Sequence, residues 1–322
     1  MRSRRLGTTD LELTTIGLGT WAIGGPWQYG WGRQDDAASI QAIREAVRQG
    51  VNWIDTAPIY GCGHSETVVG KALEGMVKRP YVATKCGLRW DAGRNKVNCL
   101  DARSIRRECD ESLKRLGIDT IDLYQLHWPD PDEQMEEAWS AMARCVQQGK
   151  ARYLGACNVT AAQVDRLARI HPVAAVQPPY SLLRREIEAD LIPACARRGI
   201  GMVCYSPMQK GLLTGTFTRE RVETLAADDH RRSDPMFRGE RFERISRLLD
   251  ALRPVAERRG RTLAQLALAW VLRNPAVTAA IVGARSADQI RETGAAGDWE
   301  LDAQTLAEID ACLAAGNPAG AS

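Results

Sequence analysis

No stretch of about 18 consecutive apolar residues occurs in the 322-residue chain, so nothing in it reads as a membrane-spanning helix. An excess of charge of one sign is also missing. The 43 basic residues face 40 acidic ones, which excludes the imbalance that binding nucleic acid or an anionic surface calls for. The nine cysteines form no C-x-x-C pair, and an odd number leaves at least one without an intrachain partner, so free thiols in a reducing compartment are expected. The four histidines, His64, His127, His171 and His230, show neither H-x-H nor H-E-x-x-H spacing, which argues against a zinc hydrolase. No Ser or Cys stands in a G-x-S-x-G context. The basic start "MRSRRLGTTD" is followed by no apolar signal segment, and a cytoplasmic location is expected. Arg-rich stretches such as "SIRRECDESLKRLG" need no ligand either: Ile105, Cys109, Leu113 and Leu116 form a helical stripe, and the charges fall opposite.

The chain has instead a steady alternation. From Asp35 onward an amphipathic helix, a Gly or Pro break and a short apolar strand follow one another repeatedly. The strand candidates are "TTIGLG", "VNWID", "YVATK", "IDLYQLH", "ARYLGACN", "VAAVQP", "IGMVCYS" and "TAAIVGA". Strict alternation implies a parallel sheet with right-handed crossovers. Eight such units with no linker between them predict a closed (β/α)8 barrel, one domain over residues 1–322. Residues 4–13, with a turn near "GTTD", predict an N-terminal β-hairpin placed to plug the bottom of that barrel. "GLGTWA" fits the dinucleotide pattern G-x-G-x-x-A, but Gly24, Gly25 and Pro26 forbid the helix that the pattern needs.

In such a barrel the working groups follow the carboxyl ends of the strands. The polar residues there are Asp55, Lys85, His127, Asn158, Gln177, Ser206 and Arg285. Strands two and three bring Asp55, Tyr60 and Lys85 together. An ammonium beside a phenol favours the phenolate, lowering its pKa, and a carboxylate fixes the ammonium. Tyr60 is then a general acid or base, and His127 is placed to hydrogen bond a carbonyl oxygen. This chemistry protonates an oxygen while something else attacks the carbon, and hydride from a nicotinamide fits that role. A strand-end lysine in a (β/α)8 barrel also suits a Schiff-base aldolase acting through Lys85.

The motifs "GLGTWAIGG", "NWIDTAPIYGCGHSETVVGKAL", "VATKCG", "IDLYQLHWPD", "RYLGACN", "VQPPYSLLRRE", "CYSPMQKGLLTG" and "IVGARSADQI" run the length of the chain. In their order and spacing the chain resembles the aldo-keto reductase superfamily, in particular its long-loop branch of bacterial sugar and glycerol reductases and potassium channel β subunits. The resemblance implies a TIM barrel that binds NADPH across its C-terminal face and interconverts aldehydes or ketones with alcohols. It implies Tyr60 as proton donor and acceptor, Lys85 tuning it, Asp55 pairing with Lys85, and His127 orienting the substrate oxygen. For the cofactor it implies Gly19, Thr20, Trp21 and Asp55 at the first strands, Asn158 and Gln177 on the carboxamide, and Tyr205 stacked on the nicotinamide. It further implies Ser206, Pro207, Met208, Gly211 and Leu213 around the pyrophosphate, and Gly283, Arg285, Ser286, Gln289 and Glu292 at the adenosine end.

Ser286 and Gln289 form an S-x-x-Q capping pattern at a helix start, itself an anion site, and Arg285 beside it suits the 2′-phosphate of NADPH over NADH. The chain departs from the family pattern at Cys157, where Ser is common, and at Thr293. The weakly structured residues 207–240 are too long for a plain connection and suit a cofactor or substrate lid. Trp21, Trp27, Trp90 and Trp128, with Tyr29 and Trp31 nearby, suit the walls of a pocket for a carbonyl or polyol substrate. A non-catalytic alternative is a module whose bound NADPH reports redox state to a partner.

Overall fold

In the computed structural model, which describes residues 1–316, the eight expected strands close into a parallel barrel. The chain starts with β1 (Ser3–Arg5) and β2 (Glu12–Thr14), an antiparallel pair, and enters the barrel with β3 (Ile16–Gly19), β4 (Trp53–Asp55) and β5 (Tyr81–Cys86). A ribbon of β6 (Leu88–Trp90) and β7 (Lys96–Asn98) precedes β8 (Ile121–Leu126), β9 (Ala151–Cys157), β10 (Ala175–Gln177), β11 (Gly201–Cys204) and β12 (Ala279–Gly283). Ring order runs from β3 through β4, β5, β8, β9, β10, β11 and β12 back to β3. The single domain expected over residues 1–322 extends to 317–322, which lie outside the described residues.

Helices α1 (Asp36–Arg48), α2 (His64–Leu73), α3 (Ala102–Leu116), α4 (Met135–Gln147), α5 (Ala161–Ala168) and α6 (Leu191–Arg198) connect successive strands. Helix α7 (Arg219–Glu223) lies in the loop after β11, α8 (Gly239–Glu257) and α9 (Leu263–Leu272) return the chain to β12, and α10 (Ala287–Gly294) and α11 (Ala303–Gly316) follow. Their starts are capped as the sequence demands. Asp35 and Asp101 accept backbone N–H groups, and Thr160 and Thr262 form reciprocal capping boxes with Gln163 and Gln265.

The hairpin plugs the barrel through its own side chains. Leu6, Leu11 and Leu13, all nearly inaccessible, pack with Trp53, Ala83, Leu123, Ala175, Val203 and Ala279 inside the ring. Gly7 at the hairpin tip has φ +56°, and a Cβ there would stand 2.6 Å from the backbone of both Gly199 and Gly201, so the tip seats against strand starts as only glycine allows.

Two expectations are corrected. Glu108, in the charged face of α3, is buried: its Oε2 accepts from the Gly87 backbone N–H at 3.0 Å and its Oε1 from Ser104 Oγ at 2.9 Å. Burial pushes its pKa up to about 7. Residues 207–240 are also more ordered than their sequence suggests. They hold a kinked helical stretch (Gln209–Thr214), α7 and short 3-10 turns at His230–Ser233 and Pro235–Phe237. This strap is tied to the first loop by a bridge between Trp31 and Asp229, by the Gly30 carbonyl accepting from His230 N–H at 3.1 Å, and by Arg231 stacked 4.4 Å over the Trp31 ring.

Because Leu11 is 1 % exposed within the plug, Leu11→Ala should destabilise the fold by about 2–5 kcal/mol in denaturant unfolding, far more than truncation at the exposed Val77.

Candidate active site

β4 ends on Asp55 and β5 carries Lys85 one residue from its end, so both side chains enter the barrel at its C-terminal mouth. Lys85 Nζ donates to Asp55 Oδ1 at 2.6 Å, to the Thr56 carbonyl at 2.9 Å and to Tyr60 Oη at 3.3 Å, which uses all its protons. The turn after β4 delivers the phenol. Gly63 N–H donates to the Pro58 carbonyl at 2.7 Å, and Gly61, with φ +65°, lies so close to Gly24 that a Cβ would meet its carbonyl at 1.9 Å. His127 follows β8, edge-on to the Tyr60 ring with centroids 5.9 Å apart. The four residues expected to act together do converge.

Burial pushes the Tyr60 phenol up to about 12, outweighing the pull of the Lys85 ammonium. The expected lowering is therefore corrected: the attraction is present, but the surroundings desolvate a phenolate more than the lysine favours it. Burial also works against the Lys85 ammonium, yet Asp55 and Tyr60 offset it and its pKa lies above the ordinary value. Burial, Lys85 and Lys96 hold His127 well below its usual range, so its imidazole is neutral at pH 7. A Schiff-base role needs a neutral amine at Lys85, and a fully hydrogen-bonded ammonium does not suit it.

Asp55 has a second set of partners that the sequence reading missed. Its Oδ2 accepts from Gln125 Nε2 at 3.1 Å and from Gln177 Nε2 at 2.8 Å, and Gln177 Nε2 also donates to Gln125 Oε1 at 3.0 Å. The signal for Gln125 lies in "IDLYQLH". A polar side chain two residues before His127 in a buried strand shares its face.

Above these groups opens a cavity of roughly 1060 Å³. Of the residues expected to hold a cofactor, all but Leu213 and Ser286 line it. Leu213 is fully buried, and its backbone N–H donates to the Met208 carbonyl. Ser286 caps α10 by accepting from Gln289 N–H at 3.4 Å. The capping box expected there is not reciprocal, because Gln289 Oε1 accepts from the Arg285 N–H at 2.8 Å instead. Trp21, Trp27 and Trp128 line the cavity, as do Tyr29 and Trp31. Trp90 does not, and faces a neighbouring cleft with Gly61, Cys62 and Arg94.

The amide pair is more committed than expected. Gln177 spends both N–H bonds on Asp55 and Gln125 and keeps only its oxygen. Asn158 donates to the His127 carbonyl at 3.0 Å and accepts from Tyr205 Oη at 2.8 Å, leaving one N–H. Cys157 makes only a long thiol contact, 3.8 Å, with Gln125. Arg285 is braced by Gln34 Oε1 at 2.6 Å and by the Trp31 and Arg33 carbonyls, with no carboxylate on it among the described residues.

The lining is strained where a ligand would approach. Asn158, Ser206, Gln209 and Lys210 all have positive φ, a conformation that costs non-glycine residues about 1–3 kcal/mol each. Gln209 is buried, lines the cavity, and its Nε2 has no acceptor among the described residues. A strained turn with an orphan donor, in a cavity that Lys210, Arg231 and Arg285 also line, fits a group bearing anionic oxygens, such as the diphosphate of a dinucleotide. Gln209 carries no motif by which sequence alone marks it.

Comparisons with known proteins agree with the barrel fold. The sequence profile described as "Aldo/keto reductase family" matches residues 15–314. The chain is 38% identical to "Aldo-keto reductase YhdN" of Bacillus subtilis, with 97% of this chain and 94% of that protein covered. It is also 38% identical to the "NADH-specific methylglyoxal reductase" of Escherichia coli, with 97% and 99% covered. Among solved structures, the glycerol dehydrogenase AKR11B4 from Gluconobacter oxydans superposes with a TM-score of 0.90 at 36% identity, over 99% of this chain and 98% of that one.

Lys85→Met leaves Asp55 buried without its cation and should cost about 3–5 kcal/mol by chemical denaturation. Adding Asp55→Leu should return part of that loss, and a purely additive double mutant would show that the pair is not coupled.

Proposed function

The chain belongs to the aldo-keto reductase family, whose members are oxidoreductases using nicotinamide cofactors, and from that premise we propose that it interconverts aldehydes or ketones with alcohols using NADPH. The observation that carries the reading is the Tyr60 phenol held 3.3 Å from the Lys85 ammonium, beside a neutral imidazole at the foot of a strained, cation-lined cavity. Ser206, Met208, Gln209 and Gly211 would hold the diphosphate, Tyr205 and Asn158 the nicotinamide, and Arg285 the 2′-phosphate. A reduced nicotinamide held by these residues would supply the hydride for the carbonyl carbon.

The chain's own residues manage the oxygen. Neutral His127 donates an N–H to it, which fixes the carbonyl against the phenol. Tyr60, protonated at neutral pH, gives up its proton as negative charge develops. Lys85 stabilises the phenolate left behind, and Asp55 keeps the ammonium from turning away. Trp21, Trp27 and Trp128 shield the reacting carbon from water. NADPH is favoured over NADH because Arg285 lines the cavity with no carboxylate paired to it among the described residues. A reducing, cytoplasmic setting suits nine cysteines that are all unpaired.

NADPH oxidation followed across a panel of aldehydes tests the reading. Tyr60→Phe should lower kcat by about 10²–10⁴-fold, and a dispensable phenol would refute the mechanism. Arg285→Ala should raise the KM for NADPH far more than that for NADH, whereas equal changes would remove the cofactor preference. Alcohol oxidation needs the phenolate, so with Tyr60 pushed up to about 12 its rate should climb about tenfold per pH unit through the alkaline range. Reduction, which uses the protonated phenol, should stay level there.

A further inference from the structure

The cations of the cavity are not all explained by a dinucleotide. Lys210 pairs with Asp234 and Arg231 with Asp229 in the strap after β11, and Arg285 stands just after β12. These surround the end where cofactor phosphates would lie. Lys96 also lines the cavity, but from β7 in the connection that follows β5. In the ring of eight strands β5 lies opposite β11, four places away in either direction. Lys96 therefore sits across the mouth from the phosphate end, and its ammonium has no salt-bridge partner among the described residues. On the ribbon the Asn98 amide nitrogen donates to Asp130, while its buried oxygen has no partner among the described residues, and Asn95 donates to Asp91.

Lys96 lines the same cavity as Tyr60 and His127. It is one of the two cations that act on the His127 imidazole. Its backbone N–H donates to Gln28 Oε1 at 3.2 Å, which joins the ribbon to the loop carrying Trp27. Trp27, like Tyr60, packs against the cluster of Ala57, Ile59 and Leu88, and its indole N–H is shielded from water with no acceptor among the described residues. The cavity lined by Tyr60 and His127 is thus also lined by Lys96, a solvent-exposed ammonium with no carboxylate on it among the described residues, and by Trp27 with its shielded, unpaired N–H. Leaving a shielded donor unpaired costs about 1–3 kcal/mol, a cost that a ligand oxygen removes.

Resting on the reductase reading, we propose that the preferred substrates are aldehydes or ketones that also carry a carboxylate, held by Lys96 and Trp27 while the carbonyl meets Tyr60 and His127. The carboxylate takes no part in the hydride and proton transfers and leaves unchanged in the hydroxy acid.

The test compares kcat/KM for 4-oxobutanoate with that for uncharged butanal, using wild type, Lys96→Ala, Lys96→Glu and Lys96→Arg at low salt. Wild type should prefer the anion. The anion-to-neutral ratio should fall roughly tenfold in Lys96→Ala, through KM rather than kcat, and further in Lys96→Glu, with Lys96→Arg retaining it. Added salt should erode the wild-type preference. An enzyme that turns over both aldehydes with a ratio indifferent to Lys96→Glu overturns this inference and leaves the reductase reading standing. A wild type that reduces neither aldehyde with NADPH or NADH overturns both.

Discussion

A single buried ion pair organises this molecule's working end. Taking Lys85 and Asp55 out of water is expensive, and such a pair persists only where every remaining proton and lone pair is satisfied. Here the ammonium also holds the Thr56 carbonyl and the Tyr60 hydroxyl, and the second carboxylate oxygen takes two glutamine amides. Those partners come from β4, β5, β8 and β10 and from the turn after β4. Strand register, turn geometry and the orientation of the phenol therefore depend on one interaction, and slipping a strand by one residue would turn its polar group out of the barrel.

The same pair explains why the phenol stays protonated. A lysine beside a tyrosine pulls its pKa down, but a site dry enough to hold an ion pair pushes it up, and in this protein the second effect wins. The result is a proton donor ready at neutral pH, with an ammonium in place to receive the charge that appears when the proton leaves. Neutral His127 follows from the same dryness.

At the other end of the cavity, strain and unpaired polar groups take over from the ion pair. Ser206, Gln209 and Lys210 are held in left-handed backbone by the strap that Trp31, Asp229 and Arg231 clasp to the first loop. Such conformations persist where surrounding contacts over-determine them, and they are commonest where a ligand must meet backbone groups.

Much of the fold was legible in the sequence because periodicity is local. Alternating helix and strand patterns yielded the eight barrel strands and the hairpin plug, and strand ends pointed to Asp55, Lys85 and His127, since chain direction alone decides which end of a barrel strand is the working one. Other features depended on contacts between residues distant in sequence. Gln125 serves Asp55 from 70 residues away, Trp90 turns into a neighbouring cleft although it follows a strand end as the other tryptophans do, and Glu108 is buried although its helix reads as charged. The residue types set which chemistry is available. The pKa of Tyr60, the commitment of Gln177 and the isolation of Lys96 were settled only by tertiary structure, because desolvation and hydrogen-bond partnership belong to the surroundings a side chain acquires on folding.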